Sequence, residues 1–153
     1  INGYNFGAKN YGRVRKTYRM ATGIALVISV LWCLIYLLFP RQLAMLFVSD
    51  NPLYLDCAAH CFRLYMMAFF LYGVHMTTAS FFQGIGKPTC SLLIPLVRQG
   101  VLLIPLALLL SRYWGLDGAL FAVPIADVLT CVLCVIMAYW EFRGWKKRGW
   151  LVE

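Results

Sequence analysis

The sequence predicts an all-α, polytopic membrane protein built as a bundle of four transmembrane helices. Hydrophobic residues make up 62% of the 153 residues and charged residues only 13%, whereas soluble domains carry about 25% charged residues. Four apolar segments are each long enough to cross ~30 Å of hydrocarbon at ~1.5 Å per residue. This composition excludes an ordinary soluble enzyme, a coiled coil and a disordered chain.

The four predicted spans are residues 20–40, 64–86, 88–111 and 118–140. Each should be helical, because lipid offers no hydrogen bonds to an exposed backbone. No segment alternates apolar and polar residues as a membrane β-strand would. Residues 41–63 are the longest connection, and we expect a short interfacial helix there or the first turns of the second span. One bundle is predicted, with no domain boundary.

Lys and Arg are distributed unevenly between the two sides of the predicted bundle. If the helices alternate in direction, ten basic residues lie on one side and three on the other. Because cytoplasmic loops carry the excess of basic residues, the C-terminal tail is predicted to be cytoplasmic. The net charge of +8 is thereby explained without nucleic acid as a partner. Aromatic rings at span ends are expected at the lipid headgroups: Tyr113, Trp114, Trp140, Trp145 and Trp150.

Small residues recur every fourth position along the fourth span. This spacing places them on one face of a helix, where they allow a neighbouring helix to approach closely. We therefore expect a helix-packing surface formed by Gly118, Ala122, Ala126, Thr130, Cys134 and Ala138.

Three prolines interrupt the later spans, at Pro95, Pro105 and Pro124. Each removes a helical hydrogen bond and bends its helix. Such bends are equally consistent with backbone that lines a transport cavity and with a purely structural kink.

The sequence offers only weak signals for chemistry. Cys57, His60 and Cys61 share a helical face, so a metal site is conceivable, but their place near a membrane interface favours an ordinary surface. Cys131 and Cys134 resemble a redox CxxC motif, yet no soluble redox fold surrounds them, so packing is the better interpretation. Since the motifs of hydrolases, zinc proteases and phosphate loops are also absent, we expect neither an enzyme nor a resident metal or cofactor.

Several segments together resemble a known family. Residues 3–16, with the sequence GYNFGAKNYGRVRK, resemble the cytoplasmic segment after the eighth helix of the multidrug and toxic compound extrusion (MATE) transporters. The turn QGIGKP at residues 83–88 resembles their link between helices ten and eleven. Four further segments resemble helices eleven and twelve of the bacterial branch: residues 98–99, 104–106, 115–118 and 126–127. The resemblance covers the whole chain in order.

The resemblance implies that this chain is the C-terminal part of the second six-helix bundle of a twelve-helix transporter, from the end of helix eight to helix twelve. The polar start at Ile1 agrees with a fragment of a larger protein. The implied function is secondary active antiport in a bacterial inner (plasma) membrane, exporting small organic cations such as amphipathic drugs in exchange for Na⁺ or H⁺. The implied partners are the lipid bilayer and the missing N-terminal helices, without which the fragment should be inactive.

Candidate site residues are few. Some branches of the family carry an acidic residue in helix ten, but none lies between residues 63 and 87, and a neutral residue near Tyr72 stands at that depth. Arg98 and Asp127 are the only charges deep within spans. Since a charge at the bilayer centre costs at least ~2.5 kcal/mol, we expect the two to pair and face the bundle interior. His75, Tyr72 and Gln83 are weaker candidates for lining the cavity.

Other functions remain open at this point. A related flippase or exporter of lipid-linked polysaccharides, from the same superfamily, is the main alternative. A membrane-embedded enzyme acting on lipid would need a second carboxylate or a nucleophile with its base at membrane depth, and the sequence offers only Asp127. A scaffold without transport activity would need no charges within its spans.

Overall fold

The computed structural model describes residues 2–47 and 52–150, and nearly all of these are helical. The described residues contain no β-strand. The helices are α1 (Asn2–Gly7), α2 (Tyr11–Leu38), α3 (Pro40–Met45), α4 (Pro52–Met66), α5 (Tyr72–Gly84), α6 (Pro88–Leu96) and α7 (Ile104–Lys147). A 3₁₀ turn (Phe69–Leu71) precedes α5, and a π-helical segment (Val97–Leu103) joins α6 to α7. The all-α prediction is confirmed.

Residues 20–38 of the first predicted span lie in α2, a helix of 28 residues. The helix begins at Tyr11, nine residues before the predicted start at residue 20. The apolar pattern could not predict this extension. The first turns of α2 are rich in basic residues, which extend the helix beyond the hydrocarbon but are not hydrophobic. The helix ends at Leu38, and the next helix begins with Pro40 in its first turn, where proline is tolerated.

The second span is broken. The pair α4 and α5 meets the length and apolarity needed to cross a membrane only when taken together, and the two helices are bent by 42°. The break frees the carbonyl of Met66, which accepts a hydrogen bond from the Cys33 thiol of α2 at 3.2 Å. Helix α4 begins at Pro52, so the connection 41–63 holds both a short helix, α3, and the early turns of the second span. Asp50, an acidic residue of this connection, lies outside the described residues.

Residues 88–147 form two antiparallel helical arms. By hydrogen bonding and apolarity the 60 residues resemble one long helix. However, Gly115 has φ 59° and ψ −133°, which are not helical angles. A continuous helix would separate Arg98 and Asp127 by ~44 Å, yet their side chains are in hydrogen-bond contact. The chain therefore reverses at Gly115, between the predicted third and fourth spans. Close by, a Cβ atom at Gly118 would collide with the Leu110 carbonyl.

The small residues of the fourth span form the packing surface that their spacing indicated. Ala122 and Thr130 are fully buried, and Ala126 is only 1% exposed. Gly118, Cys134 and Ala138 are buried as well. Side chains on the opposite side of the same helix, such as Val128 and Val132, are exposed.

Trp145 corrects the prediction that all aromatic rings at span ends lie among the headgroups. Tyr113, Trp114, Trp140 and Trp150 are exposed, but Trp145 is 1% exposed. Its indole N–H donates to Glu141 at 2.8 Å, and its ring packs against aromatic rings of α1, α2, α5 and α7. Those rings are Phe6, Tyr11, Phe81 and Phe142. These rings cover the indole, and its burial costs little because Glu141 accepts from its one donor.

Replacing Ala122 with Leu should destabilise the protein by about 1–3 kcal/mol, because a packed interior cannot accept the added volume without shifting its helices. Val128→Leu is the matched control, since it enlarges an exposed position on the same helix. Thermal unfolding of the purified protein in detergent measures both variants. Equal melting temperatures for Ala122→Leu and the control would mean that the small surface packs against nothing.

Candidate functional site

Arg98 and Asp127 form a direct ion pair inside the helical bundle. The Nε of Arg98 donates to Oδ1 of Asp127 at 2.6 Å. The side chain of Asp127 is 3% exposed and that of Arg98 is 15% exposed. The pairing expected from the sequence is therefore present, and each charge compensates the other where solvation by water is poor.

The backbone around the pair departs from regular α-helix. Arg98 lies in the π-helical segment, which follows Pro95 in α6 and precedes Pro105 in the first turn of α7. A π-helical turn rotates side chains away from their α-helical directions and is frequent at functional sites. Asp127 lies three residues after Pro124, within the buried small-residue surface. Pro95 and Pro105 thus border the segment that carries Arg98.

His75 and Tyr72 of α5 complete the group. The guanidinium carbon of Arg98 lies 5.6 Å from the centre of the Tyr72 ring, a cation–π distance. The Nε2 atom of His75 lies 3.1 Å from the backbone carbonyl of Asp127. Because a carbonyl can only accept, Nε2 carries the hydrogen and donates it. We call Tyr72, His75, Arg98 and Asp127 the intramembrane cluster; they come from three of the four predicted spans.

The intramembrane cluster holds one cation and one carboxylate, so it is electrically neutral while His75 is neutral. His75 is 4% exposed. Its second ring nitrogen, Nδ1, is buried and has no hydrogen-bond partner among the described residues. Buried polar atoms are almost always paired, so an unpaired nitrogen is unusual. It is free to accept a hydrogen bond or a proton.

The remaining candidate residues lie elsewhere or act indirectly. Gln83 is exposed at the end of α5, eight residues and ~12 Å beyond His75 along the helix, so it does not belong to the cluster. Ala122 and Ala126 are fully or almost fully buried beside Asp127. Small side chains at these positions allow a neighbouring helix to approach the helix that carries Asp127.

At the metal site considered for Cys57, His60 and Cys61, the histidine contacts an acid of another helix instead. His60 Nε2 lies 3.0 Å from Oδ1 of Asp117, on the other side of a helix contact between α4 and α7. Within residues 2–47 and 52–150, no three His, Cys, Asp or Glu side chains converge as metal ligands. All six cysteines, Cys131 and Cys134 among them, are free thiols.

Polar contacts between α2 and α5 were missed by sequence reasoning. The hydroxyls of Tyr18 and Thr78 share a hydrogen bond of 2.9 Å, and Thr22 donates to Thr77 at 3.2 Å. A groove of about 190 Å³ opens beside them, with Tyr18, Thr77, Met76 and Ser80 in its wall. The adjacent threonines of an otherwise apolar span were the available signal.

A second ion pair lies at the predicted cytoplasmic end. Lys87 Nζ, in the turn between α5 and α6, donates to Glu141 of α7 at 2.5 Å. The other carboxylate oxygen accepts from Trp145. Glu141 directly precedes the basic residues 143–148, and an acid beside that basic group was the available signal.

Comparison with known proteins points to one family. A family model described as MatE matches residues 1–109. A curated protein, the FAD transporter of Shewanella oneidensis, is 29% identical over 134 residues, which are 88% of this chain and 29% of that protein. The chain thus spans about three tenths of the length of this curated relative.

Solved structures show the same fold. The MATE multidrug transporter DinF-BH, solved as a complex, is 34% identical, with a TM-score of 0.81 over 89% of this chain and 30% of that chain. The inward-facing conformation of a multidrug resistance MATE family transporter of the MOP superfamily is 23% identical, with a TM-score of 0.89 over 96% of this chain and 34% of that chain. The arrangement of these helices is therefore shared with about a third of each larger protein.

Neutralising one member of the Arg98–Asp127 pair should destabilise the protein by about 3–5 kcal/mol, because a buried charge is left without its partner. Asp127→Asn and Arg98→Gln should each lower the melting temperature, and the double variant should lose less than the sum of the two. The exposed pair Arg41–Asp56, at 3.4 Å, is the matched control. Its double-mutant cycle should be nearly additive, since exposed ion pairs contribute little. Strict additivity at Arg98 and Asp127 would show that the pair carries no coupling.

Proposed function

This chain belongs to the MatE family of membrane transporters, and on that premise we propose that it forms the last third of a secondary active antiporter. The transporter exports amphipathic organic cations in exchange for Na⁺ or H⁺. In this proposal the chain supplies the end of helix eight and helices nine to twelve of the second six-helix bundle. Export requires the N-terminal helices as well, so this part alone is inactive.

The observation that carries the proposal is the intramembrane cluster. A transporter needs polar groups at membrane depth, and charged residues there are rare and mark ion or substrate pathways. Here Arg98 and Asp127 are held in contact, with Tyr72 against the guanidinium. A structural role alone would explain the pair but not the unpartnered nitrogen of His75.

The lining of the groove between α2 and α5 is suited to an amphipathic substrate. Its wall combines the hydroxyls of Tyr18, Thr77 and Ser80 with the apolar surfaces of Met76 and Phe81. Aromatic rings attract organic cations, thioethers pack favourably against aromatic rings, and hydroxyl oxygens accept hydrogen bonds from N–H groups.

Export of a flavin dinucleotide is the second candidate, favoured by the likeness to the Shewanella oneidensis FAD transporter. Such a substrate carries an anionic pyrophosphate and would need a cationic site. Arg98, the only arginine deep within the predicted spans, is already neutralised by Asp127. The described residues of the predicted spans therefore offer an anionic pyrophosphate no unpaired arginine.

The proposed location is the bacterial inner membrane, with the C-terminus in the cytoplasm. The basic residues of the α2 start, the Lys87 turn and the tail lie on one side, as the positive-inside rule requires.

Transport by the full-length protein in proteoliposomes tests the proposal. Ethidium uptake driven by an imposed H⁺ or Na⁺ gradient should be measurable, and Asp127→Asn should lower its initial rate about tenfold or more, a loss of ~1.4 kcal/mol or more. Asp117→Asn is the matched control, because this acid is half exposed and pairs with His60 outside the cluster. Flavin dinucleotide transport without ethidium transport would replace the first candidate by the second.

A further inference from the structure

His75 has one ring nitrogen committed and one free. Nε2–H donates to the backbone carbonyl of Asp127 at 3.1 Å. In the neutral ring, Nδ1 then carries a lone pair and no hydrogen. This atom is buried, and no donor in the described part of the chain reaches it.

We propose that Nδ1 of His75 is a proton-binding site, and that a proton there and a cationic substrate at the intramembrane cluster exclude each other. The inference rests on the proposed export function and deepens it, because it assigns H⁺ rather than Na⁺ to this half of the transporter. The proton adds to the lone pair of Nδ1, and the ring gains one positive charge.

The groups facing His75 are few. Asp127 of α7 and Arg98 of the π-helical segment are the charged side chains near the ring. From α5 itself, the Tyr72 ring lies 6.3 Å away, centre to centre. Helix α2, which packs along α5, has no charged residue between positions 20 and 38, and its titratable groups there are Cys33 and Tyr36. The carboxylate of Asp127 is therefore the negative charge that attracts both Arg98 and a protonated His75.

Na⁺ does not fit the same position. Hard cations bind through several oxygen atoms, but Oδ1 of Asp127 accepts from Arg98 and its carbonyl accepts from His75. A proton needs only one lone pair, which the unpartnered Nδ1 of His75 offers.

Protonation changes the charge balance of the cluster. Its net charge rises from zero to one positive charge, in surroundings where Asp127 is 3% exposed and charges interact strongly. Arg98, with 15% exposure, forms the open edge of the cluster. A positive charge on His75 repels a substrate cation at the cluster, and a bound substrate cation disfavours protonation of His75, so the two positive charges exclude each other.

Nitrogen NMR of the histidine side chains tests the proton site directly, independently of transport. The full-length protein, labelled with ¹⁵N-histidine in lipid nanodiscs, is titrated from alkaline to acidic pH. The His75→Gln variant assigns the signal, because glutamine preserves a donor at the Nε2 position but cannot be protonated. We expect the Nε2–H tautomer at alkaline pH and two N–H groups at acidic pH. A ring that stays neutral throughout, or an Nδ1–H tautomer, would overturn the proposal.

Proton release on substrate binding tests the exclusion. Ethidium added to weakly buffered protein should release about one proton fewer from His75→Gln than from the wild type. His60→Gln is the matched control, since His60 is half exposed and contacts Asp117 rather than the cluster, and its release should equal that of the wild type. Equal release from His75→Gln would refute the exclusion. If the wild type binds no ethidium, the export proposal fails, and the NMR titration still decides the proton site.

Discussion

The contact between Arg98 and Asp127 is the constraint on which the positions of the third and fourth spans depend. Two charges placed within membrane spans are too costly to leave apart, so the third and fourth spans must approach until they meet. Gly115 allows the chain to reverse between the two spans, and the buried Ala122 and Ala126 are small enough for close helix packing. The ion pair, the small-residue surface and the turn therefore depend on one another. A substitution in any one of them should disturb the other two.

The same contact organises the second span. Asp127 uses its side chain to hold Arg98 and its backbone carbonyl to hold His75, while Arg98 lies against Tyr72. Tyr72 begins α5 directly after the break in the span, so the bend places the start of a new helix beside the ion pair. The contacts of α2 with α5, through Thr22 and Tyr18, then fix the first span to this arrangement. Polar groups thus link all four spans, although the composition is overwhelmingly apolar.

Sequence reasoning predicted the fold class, the separation of the last two spans and the meeting of Arg98 with Asp127, because each follows from hydropathy, turn residues or the cost of burying charge. It could not predict that the second span is broken, since residues 67–71 are as apolar as their neighbours and the freed carbonyl of Met66 finds its donor in the distant Cys33. The burial of Trp145 also depends on distant residues, because α1, α2 and α5 must converge on its ring. His75 and Gln83 were equally plausible candidates in the sequence, and only their places along α5 in the folded bundle distinguish them. That His75 has one unpaired nitrogen follows from atomic geometry that no pattern encodes.

The charge state of Asp127 is the central claim, because a neutral acid would need no arginine and would leave the intramembrane cluster positively charged. Infrared difference spectroscopy of the protein in lipid at neutral pH, wild type minus Asp127→Asn, measures it directly. Our account predicts that the variant loses an ionised carboxylate band and no protonated carboxylic acid band, since the bonded guanidinium stabilises the anion. Loss of a protonated carbonyl band instead would show that Asp127 is neutral, and the ion pair could not then be what holds the spans together.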